Sequence, residues 1–135
     1  MPHQISWDNP DKTVVLQVYT DAPSKDDLYQ LAEKSAAMLS TISHTVHLIL
    51  DERKINLILS AADMSYLQKQ TPKNQGVVVM LVDPSTIPYK TAIHNLGQRL
   101  GLRTFSQPYF ANSIEEARSI LQQNFSVRYP SITAK

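Results

Sequence analysis

The chain has 135 residues and a formal net charge of +1, with 42% hydrophobic and 19% charged residues. That length suits one domain with a real core, and so balanced a charge supplies no general field for attracting nucleic acid or an anionic membrane. Cysteine is absent, which excludes disulfides, thiol catalysis and thiolate metal sites and leans towards a cytoplasmic setting.

Residues 1–8 lack a basic segment followed by an apolar one, so no signal peptide is expected. Residues 4–8 read as a short strand with Ile5 and Trp7 on one face. Asn9, Pro10, Asp11 and Lys12 form a turn, and residues 13–20 alternate as a second strand, so the two make an antiparallel hairpin. Ser24 and Asp27 have the spacing of a capping pair, and Leu28, Leu31, Ala32, Ser35, Leu39 and Ile42 follow helical spacing, which predicts a helix over 25–43.

Residues 45–51 are a mostly apolar strand of the kind covered on both faces. Residues 55–59 read either as a loop on the core or as a short extra strand, and 61–70 as a helix with Asp63 as its cap. Residues 71–76 are a loop, and 77–82, the longest apolar run, form a buried strand too short to span a bilayer. Pro84 and Pro88 bracket the start of a helix that ends near Leu100 before Gly101. Residues 103–105 read as a short edge strand. Ser113 and Glu116 open the last helix with capping-box spacing, and Ala117, Ile120, Leu121 and Phe125 form its inward stripe.

The predicted order is β-β-α-β-α-β-α-β-α, an α/β fold with a mixed sheet: one antiparallel hairpin, then alternating βα units. A single domain is expected over residues 1–125, followed by a loose tail over 126–135.

Four stretches carry a family likeness. They are Ile5-Ser6-Trp7-Asp8-Asn9-Pro10, the strand His44-Thr45-Val46-His47-Leu48-Ile49-Leu50-Asp51, the run Thr71-Pro72-Lys73-Asn74-Gln75-Gly76-Val77-Val78-Val79, and Ser113-Ile114-Glu115-Glu116-Ala117-Arg118. In order and spacing they resemble the SpoIIAA-like superfamily, which includes STAS domains and the CRAL-TRIO lipid-binding domains, and more narrowly the stand-alone bacterial STAS-like proteins. STAS antagonists of anti-sigma factors carry a phosphorylatable Ser or Thr in an Asp-x-Ser type motif after the central strand. Here Asp51 is followed by Glu52, Arg53 and Lys54, so that switch is not carried over. Relatives with the Trp-Asn-Pro opening often place a Gly and a Trp near the first helix, where this chain has Tyr19-Thr20-Asp21-Ala22-Pro23.

The residues themselves offer three candidate sites. Asp51, Glu52, Arg53 and Lys54 lie at the carboxyl end of the central strand, where open α/β sheets place ligands; they are the candidate surface for a protein partner, a second copy of the chain included. Leu57, Leu59, Met64 and Leu67 are candidates to line a cavity for a small apolar or lipid-like ligand, as the resemblance to CRAL-TRIO domains implies. Lys73, Lys90 and His94, with Arg99 and Arg103 near, are candidates for an anion site; Lys90 and His94 share a helix face. Neither a G-x-x-x-x-G-K-[ST] loop nor a G-x-G-x-x-G turn is present, and basic residues interleaved with aromatics are lacking, so phosphate-cradle and nucleic-acid functions are not expected. His44 and His47 point to opposite faces and do not share a metal ion. Segment 105–110 is the best candidate for an exposed apolar patch. The chain therefore reads as a non-enzymatic interaction or regulatory module without a cofactor, with a ligand carrier as the alternative.

Overall fold

The computed structural model describes residues 3–19, 24–51, 53, 60–83, 88, 91, 92, 95, 96, 99 and 109–129. Its elements are β1 (His3–Trp7), β2 (Val14–Tyr19), α1 (Lys25–Leu39), β3 (Val46–Asp51), α2 (Ala61–Gln70), β4 (Gln75–Leu81), β5 (Tyr109–Ala111) and α3 (Ile114–Phe125). The strands form one mixed sheet in the order β1-β2-β3-β4-β5. β1 runs antiparallel to β2, and the other neighbours pair parallel.

Among the described residues eight elements are delimited, against the nine predicted. The predicted helix ending at Leu100 lies mostly outside the described residues; Pro88, Thr91, Ala92, Asn95, Leu96 and Arg99 are described and are helical. The predicted edge strand at 103–105 and the run at 55–59 also lie outside. Among the described residues the fifth strand is Tyr109–Ala111, paired with Val79 to Leu81 of β4. Tyr109 and Phe110 are thus half-buried sheet residues rather than an exposed patch, with Tyr109 edge-on to Phe125 at 5.6 Å between ring centroids.

Both faces of the sheet are covered, which explains the nearly unbroken apolar runs of β3 and β4. Val14, Ile49, Val79, Leu81 and Ala111 pack against Ala117 and Leu121 of α3. On the other face Val15, Val46, Leu48, Val78 and Met80 pack with Leu39 of α1, and Tyr19 packs with Leu31. Burying each of these large side chains stabilises the fold by about 1.5–3 kcal/mol.

Helix α1 starts at Ser24 with a reciprocal capping box: Ser24 Oγ accepts from the Asp27 N–H at 3.2 Å, and Asp27 Oδ2 accepts from the Ser24 N–H at 2.9 Å. It ends at Leu39, earlier than the apolar pattern predicts. Asn74, just before β4, draws off the carbonyls beyond: its Nδ2 donates to the oxygens of Leu39, Ile42 and His44 at 3.0–3.1 Å. Helix α2 has the same box, but Ser60 is the cap and Asp63 its partner three residues on, which corrects the assignment of Asp63 as cap. In α3, Ser113 caps as expected, while Glu116 reaches one residue further back to the Asn112 N–H.

Residues 126–129, expected in a loose tail, are docked. Val127 is only 5% exposed, the Arg128 carbonyl accepts from Asn9 Nδ2 at 2.9 Å, and the Tyr129 hydroxyl donates to Asp8 Oδ2 at 2.6 Å. Arg118 of α3 grips the same carboxylate with two donors at 2.7 and 3.0 Å, and the Asp8 side chain is 3% exposed. Hydrogen bonding to Asp8 holds the Arg118 guanidinium still more firmly protonated, and burial, followed by the bond to Asp8, raises the Tyr129 hydroxyl above its ordinary range. One buried carboxylate thus joins the hairpin, the last helix and the chain beyond it.

Candidate functional site

Because β2, β3, β4 and β5 are parallel, each helix that follows one of them starts at the carboxyl edge of the sheet. The starts of α1, α2 and α3 therefore gather there with the end of β3. This is the edge where open α/β sheets hold ligands.

Asp51, the last residue of β3, is buried, at 7% exposure. Its Oδ1 accepts from Arg53 Nε at 2.9 Å and from the Arg53 N–H at 3.3 Å, and its Oδ2 accepts from Arg53 Nη2 at 2.7 Å. The fork of the guanidinium meets the two carboxylate oxygens side by side, the strongest and most orienting form of this pair. Arg53 nevertheless keeps 45% of its side chain exposed. Its Nη1 has no protein acceptor among the described residues. The hydrogen bond to Asp51 deepens the cationic preference of Arg53, and Glu115 in the first turn of α3 adds to it. Asp51 is thus the buried holder of a half-exposed cation. Glu52 and Lys54 lie outside the described residues.

A second polar group joins α1 to α2. Lys25, Tyr29 and Glu33 recur every four residues and so form one stripe along α1. Lys25 Nζ lies 2.8 Å from Asp63 Oδ2, the Tyr29 hydroxyl donates to Asp63 Oδ1, and the Tyr66 hydroxyl donates to Glu33 at 2.8 Å. The Tyr29 and Tyr66 rings meet at 4.3 Å between centroids. Lys25 first, then Tyr29, hold the Asp63 carboxyl well below the usual carboxylate range. The hydrogen bond to Asp63 in turn pushes the Tyr29 hydroxyl up to about 12. Hydrogen bonds to carboxylates hold both phenols above their ordinary range, and the cluster joins α1 to α2. The stripe was readable in the sequence as an i, i+4, i+8 repeat of polar residues, and the Ser60–Asp63 box by the same spacing as Ser24–Asp27.

The other candidate residues are not brought together by the described structure. Met64 is fully buried and Leu67 half-buried on α2, while Leu57 and Leu59 lie outside the described residues. Lys73 is exposed in the turn before β4, at the opposite, amino edge of the sheet; Lys90 and His94 lie outside. His44 is exposed, with Nε2 3.0 Å from the Lys12 carbonyl oxygen, and His47 is half-buried on the α3 face. Among the described residues no group of three His, Asp or Glu side chains is placed to hold a metal ion, and no helix is long and apolar enough to cross a membrane. No family model, curated protein or solved structure matches the chain.

Proposed function

We propose that the chain is a non-enzymatic, STAS-like regulatory or protein-interaction module, and that it engages a protein partner at the carboxyl edge of its sheet, with Arg53 as the anchor. The observation that carries this reading is the Asp51–Arg53 pair: a buried carboxylate holds a half-exposed guanidinium in one orientation. An arginine fixed in this way loses little side-chain freedom when a partner's carboxylate or carbonyl meets its outer N–H groups, and arginine is enriched among residues that dominate binding energy. The resemblance adds a second support. In the STAS motif the hydroxyl that is phosphorylated stands two residues after the Asp, and here Arg53 stands two residues after Asp51. A permanent positive charge at that place makes an interaction surface without a phosphoryl switch.

The test is quantitative affinity capture with the wild-type chain, R53A and R53K, with thermal unfolding of each recorded in parallel. Partner binding falls at least tenfold in R53A and is partly kept in R53K, a loss in the range of an interface hot spot. Wild-type binding by a folded R53A protein would refute the reading.

A further inference from the structure

β3 and β4 are out of step at one place. Val46 pairs with Gln75 and Leu48 with Val78, so His47 stands opposite two residues, Gly76 and Val77. A bulge of this kind leaves a backbone group without its ladder partner. Here the histidine side chain supplies the partner: the Val77 N–H donates to His47 Nδ1 at 3.0 Å. Since Nδ1 accepts, the imidazole is neutral and carries its proton on Nε2. The ring fits only because residue 76 is glycine. A Cβ there would lie 2.3 Å from His47 Nδ1 and 2.9 Å from Thr45 Cγ2. On its other side the ring meets Phe125, the last residue of α3, at 5.5 Å between centroids.

We propose that His47 is a proton-sensitive latch, which in its neutral form closes the bulge between β3 and β4 and seats the end of α3, and which opens when Nδ1 takes up a proton. A protonated Nδ1 is a donor and cannot accept from the Val77 N–H, so the two N–H groups would face each other. Opening releases the start of β4 and the Phe125 contact together. It leaves the carboxyl edge, with Asp51 at the other end of β3, in place.

The surroundings favour the neutral ring. β4 carries no titratable residue, and β5 contributes only Tyr109, which lies against Phe125. The charged residues of α3, Glu115, Glu116 and Arg118, sit about two turns or more from Phe125. On β3 the charged residue is Asp51, at the far end; Asp11, Lys12 and exposed His44 belong to the loops before β2 and β3. Burial alone lowers the His47 pKa from its ordinary 6.5. A folded value below the unfolded one means that the latch contributes fully above about pH 6.5 and is lost as pH falls below that.

Nitrogen-15 NMR and amide hydrogen exchange on the full chain test this. At about pH 7.5 the His47 ring shows an unprotonated Nδ1 and a protonated Nε2, and it titrates below 6.5. From about pH 7.5 to 5 the Val77 amide loses protection about fivefold or more, after correction for intrinsic exchange. In H47N the amide oxygen takes the place of Nδ1, and Val77 stays protected at both pH values; in H47L it is unprotected at both. A proton on Nδ1 at neutral pH, a His47 pKa at or above 6.5, or a fall in Val77 protection that is equal in H47N, would overturn the proposal.

Discussion

Replacing Asp8 with alanine removes the group on which three segments converge. Its carboxylate takes two donors from Arg118 and one from Tyr129, at 2.6–3.0 Å, and is 3% exposed. A hydrogen bond to a charged group contributes about 1.5–3 kcal/mol. The Arg118 side chain is 39% exposed, so its guanidinium regains water when the carboxylate goes, and its share belongs at the low end of that range. The half-buried Tyr129 hydroxyl is left with no acceptor on Asp8 and adds a comparable loss. Together these give about 3 kcal/mol. Unfolding entropy of about 2.1 cal/mol/K per residue over 135 residues converts this to a fall in Tm of about 10 °C. Y129F, which loses a single bond, falls by about 5 °C. The assay is thermal unfolding followed by circular dichroism, with a D8A/R118M double mutant to measure coupling. A D8A protein that melts within about 2 °C of wild type, or a coupling near zero, would show that the carboxylate does not hold these segments together.

Three further outcomes follow from single side chains. Ser35 faces the core at 3% exposure with no hydrogen-bond partner for its hydroxyl, so S35A raises stability by up to about 1 kcal/mol in urea unfolding. G76A destabilises by at least about 2 kcal/mol, because its Cβ would lie 2.3 Å from the His47 ring. Asp63 has a folded pKa below its ordinary 3.8, so its pairing with Lys25 and Tyr29 stabilises fully above about pH 4 and is lost as pH falls towards the folded value. D63N therefore flattens the loss of stability between about pH 4 and 2, measured by urea midpoints against pH.

The frame of the fold was legible because it rests on local signals. The alternation of residues 13–20, the apolar runs at 45–51 and 77–82, and the Ser24 box each declare their element without reference to distant chain. The mixed sheet followed from a short hairpin turn and then longer connections. What stayed hidden depends on distant partners. Residues 126–129 have no periodicity, and they dock because Asp8 and Asn9, more than a hundred positions away, supply the bonding groups. Tyr109–Ala111 is too short for alternation to reveal, and it becomes a strand through pairing with β4. At the candidate site, the position of Asp51 at the end of the central strand was readable. Its burial was not, because that depends on Arg53 folding back over its carboxylate.

The central claim, that the edge held by Asp51 and Arg53 receives a protein partner, is tested most directly by placing a photo-crosslinking amino acid at position 53. The same group at Gln122, exposed on α3, serves as the control. Crosslinking in cells of the organism of origin should give one recurrent adduct from position 53 that is absent from position 122, and excess wild-type protein should suppress it. Equal labelling from both positions, or none from position 53 while the protein remains folded, would contradict the claim.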